Sequence, residues 1–175
     1  MEAQDTKGRI IKETFPSEMV SIMGDILAGI ILSLLIVTFD SFLLLILIIP
    51  ALLSLRGNIS GPFIARTSRD FIIGEFNKKS WFENILATFT LSLFTAVAIG
   101  VFSILINFLL IKLYIFHIAL LIVIPVISII LTLSISIPCS TILNFLAFKR
   151  GLDPNNVVNP IMTAIDDFSL LYVFI

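Results

Sequence analysis

The chain is poor in charge and in the residue types that build disulfides and metal clusters. Only 13% of its 175 residues are charged, and it contains one cysteine and one histidine. Soluble domains carry about 25% charged residues, so a soluble globular fold fits badly. A single cysteine and a single histidine exclude a disulfide framework, a cysteine-rich metal site and any site that needs two histidines. The net charge of −1 offers no basic field, so we expect no nucleic-acid partner.

Long apolar runs fill most of the chain instead. Hydrophobic residues make up 58% of the sequence, and the mean hydropathy is +1.13. A membrane-spanning helix needs about 20 mainly apolar residues. Five runs qualify, at about residues 19–39, 41–68, 85–111, 118–148 and 157–175. The sequence therefore predicts an all-α integral membrane protein with five transmembrane helices.

The basic residues set the predicted orientation. Nine of them fall on one side of the five-span arrangement, and only Lys112 falls on the other. Because Lys and Arg concentrate in cytoplasmic loops, the N-terminus is predicted to be cytoplasmic and the C-terminus outside. Residues 1–16 are then a cytoplasmic N-terminal segment, and residues 17–175 form a single five-helix domain. The nine residues are Lys7, Arg9, Lys12, Arg66, Arg69, Lys78, Lys79, Lys149 and Arg150.

The fifth span carries two adjacent carboxylates, Asp166 and Asp167. A charged side chain at the centre of a membrane helix costs about 2.5 to 3.5 kcal/mol on insertion scales, so its presence there suggests a function. At about 100° per residue, both aspartates fall within one arc of the helix. Asn156, Asn159 and Thr163 fall in the same arc.

The second span is predicted to be broken between Arg56 and Pro62. Glycine and proline weaken the helix there, and irregular backbone at membrane depth persists only against protein or a water-filled cavity. Gly57 and Asn58 lie in this stretch, and freed carbonyls and the Asn58 amide are hard oxygen ligands. A simple proline kink is the structural alternative.

Further polar residues are candidates for lining a pathway. Ser136, Ser140 and Asn144 repeat every four residues and share one face of the fourth span. Helix–helix packing explains such hydroxyls equally well. Asp25 in the first span is either an interfacial carboxylate or part of the inner mouth of a pathway. Asp153 is placed at the inner mouth, where it could bind an ion weakly.

No enzymatic motif is visible. The H-E-x-x-H zinc motif, a phosphate-binding glycine loop and a nucleophile elbow are all absent from the sequence. An intramembrane aspartyl protease needs carboxylates on two facing helices, whereas Asp166 and Asp167 are adjacent on one. We therefore expect no enzyme activity and no cofactor.

Two stretches resemble a known family of transporters. PALLSLRGNISGPFIARTS (residues 50–68) resembles the second-helix signature of solute carrier family 41 and the MgtE-type magnesium transporters. LDPNNVVNPIMTAIDDF (residues 152–168) resembles the motif that opens their fifth helix, and the spacing of Pro160, Thr163 and Asp167 fits it.

The resemblance implies a five-helix domain that pairs with a second such domain around a cation pathway. Since this sequence carries one domain, it implies a homodimer in the cell (plasma) membrane. The resemblance implies that Asp167 corresponds to the family's pore carboxylate. It also implies that Gly57 and Asn58 correspond to the family's glycine–asparagine pair. The second carboxylate, Asp166, departs from the family pattern. The resemblance also leaves both a channel and a Na⁺-coupled exchanger open.

The chemistry agrees with Mg²⁺ as the transported ion. Mg²⁺ prefers oxygen ligands and keeps several of its waters, and Asn58, Asn159, Thr163, Asp166 and Asp167 supply suitable oxygens. Asp167 from each of two chains would match one divalent charge. The leading hypothesis is thus divalent-cation transport, most simply of Mg²⁺. The alternatives are an H⁺- or Na⁺-coupled transporter of another solute and a membrane assembly subunit that transports nothing.

Overall fold

Five long helices account for nearly all of the described chain. A computed structural model describes residues 6–38, 43–112 and 118–172, and at residues 35–38, 43–47 and 56 it describes the backbone but not the side chains. The described residues contain no strand, so the prediction of an all-α fold with five helices is confirmed. The helices are α1 (Lys7–Thr38), α2 (Leu43–Ile73), α3 (Lys78–Ile106), α4 (Leu120–Lys149) and α5 (Pro154–Tyr172), and a π-helical turn at Asn107–Ile111 extends α3.

Short connections with defined turn chemistry join the helices on one side of the bundle. Gly74 adopts a φ of +74° directly after α2, and Gly151 a φ of +70° after α4. Both are left-handed conformations, which glycine adopts without steric cost at the end of a helix. Asn77 then caps α3, because its side-chain oxygen accepts a hydrogen bond from the Ser80 N–H at 2.8 Å.

The contacts between helices fix their relative directions. Ser17 and Gly24 on α1 meet the Asn156 carbonyl and Ala164 on α5, so these two helices run parallel. On α3 and α4, Trp81 bonds to Thr141, whereas Gly100 packs on Leu121, so that pair is antiparallel. These directions agree with an up-and-down bundle in which α1 and α5 run in the same direction.

Small residues allow the closest helix contacts. On α3, buried Ser92, Ala96, Gly100 and Ser103 form one face towards the neighbouring helices. A Cβ on Gly100 would lie 2.7 Å from the Leu121 carbonyl oxygen, so only glycine fits there. Such small-residue contacts are typical of helices that associate within a membrane.

Four helical stretches are long and apolar enough to cross a membrane. They are Lys7–Leu34, Ile48–Ile73, Lys78–Ile111 and Leu120–Lys149. The described part of α5 is shorter and more polar, and it packs against α1, α2 and α4. Because its neighbours cover much of its surface, α5 needs less apolar surface than a helix that faces lipid on most sides.

The structure shows the backbone of two segments that the sequence analysis singled out. The second helix is bent, but residues 56–62 remain helical, so the expected irregularity is a bend rather than an unwound segment. The Arg56 side chain lies outside the described part. Residues 7–16 belong to the same helix as the first span, and their cytoplasmic location stays a prediction.

Candidate functional site

The second and fifth helices touch at Gly61. A Cβ built on Gly61 would lie 3.7 Å from Asn159 Oδ1, which is an ordinary van der Waals distance. The glycine-rich part of α2 and the polar stripe of α5 are therefore neighbours in space. The two motifs, about 100 residues apart in sequence, form one surface.

This surface is polar and open in the single chain. Gly57, Asn58 and Asn159 are exposed, and Thr163 and Asp167 are partly exposed. Asn159, Thr163 and Asp167 follow one another every four residues and so stack along one side of α5. We call these five residues the polar face.

The depth of the polar face excludes a purely lipid-facing role. Asn58 lies midway along α2 (Leu43–Ile73), in a helix that is apolar enough to span a membrane. Placing an amide without a hydrogen-bond partner in hydrocarbon costs roughly several kcal/mol. Polar groups at this depth therefore face protein or water. The polar face must accordingly be covered by another protein surface or line an aqueous path.

Thr163 is oriented by its own helix. Its Oγ1 donates a hydrogen bond to the Asn159 carbonyl oxygen at 3.0 Å. That bond uses the hydroxyl hydrogen, and a hydroxyl oxygen also has two lone pairs that can accept hydrogen bonds. Thr163 can thus accept hydrogen bonds from the water shell of a cation.

The two adjacent aspartates have different surroundings. Asp166 is only 1% exposed, whereas Asp167 is partly exposed on the polar face. Both take part in polar interactions within the chain. Successive residues of a helix point about 100° apart, which is enough to turn Asp166 into the packed interior. Of these two aspartates, only Asp167 is therefore partly exposed on the polar face, and its Oδ1 is buried.

Asp25 lies at nearly the same level as Asp167. Gly24 packs directly against Ala164, so Asp25 lies on α1 beside a residue three positions before Asp167. Asp25 is exposed. The parallel α1–α5 contact thus gives the level of Asp25 along α5, and its role at the inner mouth of a pathway stays a prediction.

Ser136, Ser140 and Asn144 are enclosed rather than exposed. All three are buried, and Asn144 Nδ2 donates to the Ile64 carbonyl of α2 at 3.4 Å. Ser140 Oγ donates to the Ile137 carbonyl of its own helix at 3.1 Å. This stripe thus lies in the packing between helices and does not share the polar face.

Asp153 has a structural position at the start of α5. Its Oδ1 accepts a hydrogen bond from the Asn155 N–H at 2.9 Å, which makes Asp153 the N-cap with Pro154 as the first helical residue. Its own N–H donates to Glu13 Oε2 on α1 at 3.1 Å, and Asn156 Nδ2 donates to the same oxygen at 3.3 Å. The N-terminal part of α1 is thereby joined to the beginning of α5.

Within the residues that the structure describes, no group of three or more histidine, cysteine, aspartate and glutamate side chains could hold a metal ion. The oxygens of the polar face are one carboxylate, two amides and one hydroxyl. A hydrated hard cation such as Mg²⁺ can bind such groups through its water molecules.

A comparison with protein-family models matches this part of the molecule. The MgtE model, described as a divalent cation transporter, matches residues 49–175. The match covers well over half of the chain and includes most of α2, all of α3 and α4, and α5 with both sequence motifs. The chain belongs to the MgtE family. A search of curated proteins gives no match.

Membership of the MgtE family confirms the resemblance seen in the two motifs. It supports divalent cation transport and a multi-pass membrane location, and MgtE is a family of transporters rather than of enzymes. The polar face lies entirely within the matched residues.

Three contact residues were not predicted from the sequence. Gly61 belongs to the stretch that was predicted to break the second helix, but the sequence did not show that α2 meets α5 there. Gly24 was not singled out, although Ser17, Ser21, Gly24 and Ala28 recur at helical spacing and mark a close contact face. Glu13 carried no usable signal for its contact with the beginning of α5, because Asp153 and Asn156 lie 140 residues away or more.

Proposed function

We propose that this protein transports divalent cations, with Mg²⁺ as its main substrate, across the cell membrane along a path formed between two copies of the chain. The observation that carries the proposal is the contact between Gly61 and Asn159, which joins the α2 and α5 motifs into one polar face. Family membership supports the transport of divalent cations, and the polar face supplies the chemistry.

The donor set suits an ion that keeps most of its water. Mg²⁺ dehydrates reluctantly and usually binds through one or two carboxylates while retaining several waters. Asp167 supplies charge, and Asn58, Asn159 and Thr163 supply amide and hydroxyl oxygens at successive levels. We assign the ion-facing role to Asp167. The buried Asp166 contributes negative potential from behind the polar face.

A second copy of the chain would complete the path. The polar face is open in one chain and lies at membrane depth, where it needs protein or water as a neighbour. Two polar faces that face each other across a twofold axis would enclose an aqueous space, and symmetric dimers are the commonest oligomers. Two Asp167 carboxylates would then offset the charge of one divalent ion.

The test is ion flux into proteoliposomes that contain the purified protein. Mg²⁺ uptake, reported by a dye inside the vesicles, should exceed that of protein-free vesicles, and uptake without a Na⁺ gradient would indicate a channel. Uptake that depends strictly on a Na⁺ or H⁺ gradient would instead indicate coupled transport. The absence of any divalent-ion flux from a folded, reconstituted protein would favour the assembly-subunit hypothesis and contradict the proposal.

A further inference from the structure

A cavity of about 670 Å³ lies between the N-terminal half of α1 and the beginning of α5. One of its ends is lined by Arg9, Lys12 and Glu13, and the other by apolar residues that include Val20 and Ile161. Its volume falls within the usual range of about 300 to 1,000 Å³ for small-molecule sites. The cavity is not part of the proposed cation path, and the family match assigns no role to it.

The cavity is separate from the polar face. Ile161 lies about 160° around α5 from both Asn159 and Thr163, at 100° per residue. The seam between α1 and α5 therefore has two sides. One side carries the polar face, and the cavity opens on the other.

The lining changes from basic to apolar along the direction of the helices. Arg9 and Val20 are eleven residues apart on α1, which corresponds to about 16 Å at 1.5 Å per residue. Arg9 and Lys12 precede the long apolar run of α1, whereas Val20 and Ile161 lie within apolar helical sequence. This is the layout of a lipid in a leaflet, with an ionic group at the surface and a hydrocarbon chain below it.

The basic end has positive charge to offer. Lys12 is exposed and forms no ion pair with any residue in the described ranges. Arg9 bonds to Glu13 Oε1 through Nε at 2.8 Å and to the Gly151 carbonyl through a terminal nitrogen at 2.9 Å, yet its side chain remains 40% exposed. Lys12 can therefore meet an anion directly, and Arg9 adds an exposed guanidinium that already has partners within the chain.

We propose that this cavity binds one anionic phospholipid, with its phosphate at Arg9 and Lys12 and the start of an acyl chain along Val20, Val157 and Ile161. Basic pockets between membrane helices are suited to anionic headgroups. The mainly apolar lining selects a lipid over a free phosphate, because a small anion would leave that surface uncovered.

The lipid would strengthen the junction between α1 and α5. It would contact both helices beside the hydrogen bonds that Glu13 accepts from Asp153 and Asn156. A ligand that binds only the folded state raises its stability by mass action. Anionic lipid should therefore raise the melting temperature of the purified protein, whereas zwitterionic lipid should not.

The direct test is native mass spectrometry of the detergent-purified chain with dioleoyl-phosphatidylglycerol or dioleoyl-phosphatidylcholine. The wild type should retain one phosphatidylglycerol in clear preference to phosphatidylcholine. Lys12→Gln should lower this retention about fivefold, which is the contribution of one basic residue to binding an anionic headgroup. Lys79→Gln removes the same charge from the exposed start of α3 and should leave the retention unchanged.

A second variant tests the hydrocarbon end of the cavity. Val157→Phe should reduce phosphatidylglycerol retention while circular dichroism shows an unchanged helix content, and millimolar glycerol phosphate should not displace the lipid. Equal retention of the two lipids by the wild type would overturn the proposal. So would equal losses in Lys12→Gln and Lys79→Gln, or displacement by glycerol phosphate, which would indicate a site for a soluble anion.

Discussion

Gly24 on α1 lies directly against Ala164 on α5, so closely that a Cβ on Gly24 would overlap the Ala164 side chain. α1 packs mainly against α5 in the described structure. This contact therefore helps to set how the first helix packs beside the helix that carries the polar face.

Gly24→Ala should destabilise the protein, because the added methyl group forces α1 away from α5. Overpacking of this kind costs about 1 to 3 kcal/mol, and thermal unfolding in detergent should show a lower melting temperature. Gly29→Ala is the matched control, since a Cβ at Gly29 meets nothing within 4 Å. The double variant Gly24→Ala, Ala164→Gly should recover part of the loss. Equal melting temperatures for Gly24→Ala and Gly29→Ala would contradict the close packing.

Asp153→Ala should lower stability by about 1 kcal/mol, because it removes the N-cap of α5. Asp153→Asn keeps a capping oxygen and should retain most of the stability. The same pair of variants separates capping from ion binding. If Asp153→Asn kept the melting temperature but lost Mg²⁺ flux, Asp153 would line the pathway and not only cap the helix.

Asp166→Asn should reduce flux less than the same change at Asp167. Asp166 is buried and reaches the ion only through its potential, whereas Asp167 faces the open side. Flux should be measured on both variants at equal protein density, with melting temperatures as a check on folding. An essential Asp166 beside a dispensable Asp167 would mean that the ion passes on the other side of α5.

The polar faces of two chains should lie close to each other. In a Cys139→Ser background, Asn58→Cys should form dimers with a short bifunctional thiol reagent in membranes. Phe94→Cys is the control, because Phe94 is exposed on α3 and is not part of the polar face. Cross-linking of Phe94→Cys but not of Asn58→Cys would place the dimer contact elsewhere.

The fold was largely predictable because apolar length and the spacing of polar residues constrain a membrane chain strongly. Gly57, Asn58, Asn159 and Thr163 were predicted as parts of one site, and the Gly61–Asn159 contact brings their helices together. The level of Asp25 relative to Asp167 was not predictable. It depends on how α1 is shifted along α5, which the contacts of Gly24 with Ala164 and of Ser17 with Asn156 fix.

The difference between Asp166 and Asp167 was equally hidden in the sequence. A helical wheel places both carboxylates near one stripe, and only the packing of α5 against its neighbouring helices shows which of them is enclosed. The hydroxyl stripe of α4 was open to two interpretations, and the burial of Ser136, Ser140 and Asn144 shows that they lie in helix packing. Sequence patterns locate polar faces, but neighbouring helices decide which faces remain open.

Mg²⁺ flux through Asp167→Asn proteoliposomes tests the central claim most directly. The account predicts that flux falls by roughly tenfold or more, equivalent to about 1.4 kcal/mol of lost ion stabilisation. Glu83→Gln makes the same carboxylate-to-amide change at an exposed position of α3 and should keep wild-type flux. Wild-type Mg²⁺ flux through folded Asp167→Asn protein would contradict the account, because the polar face would then not be the path of the ion.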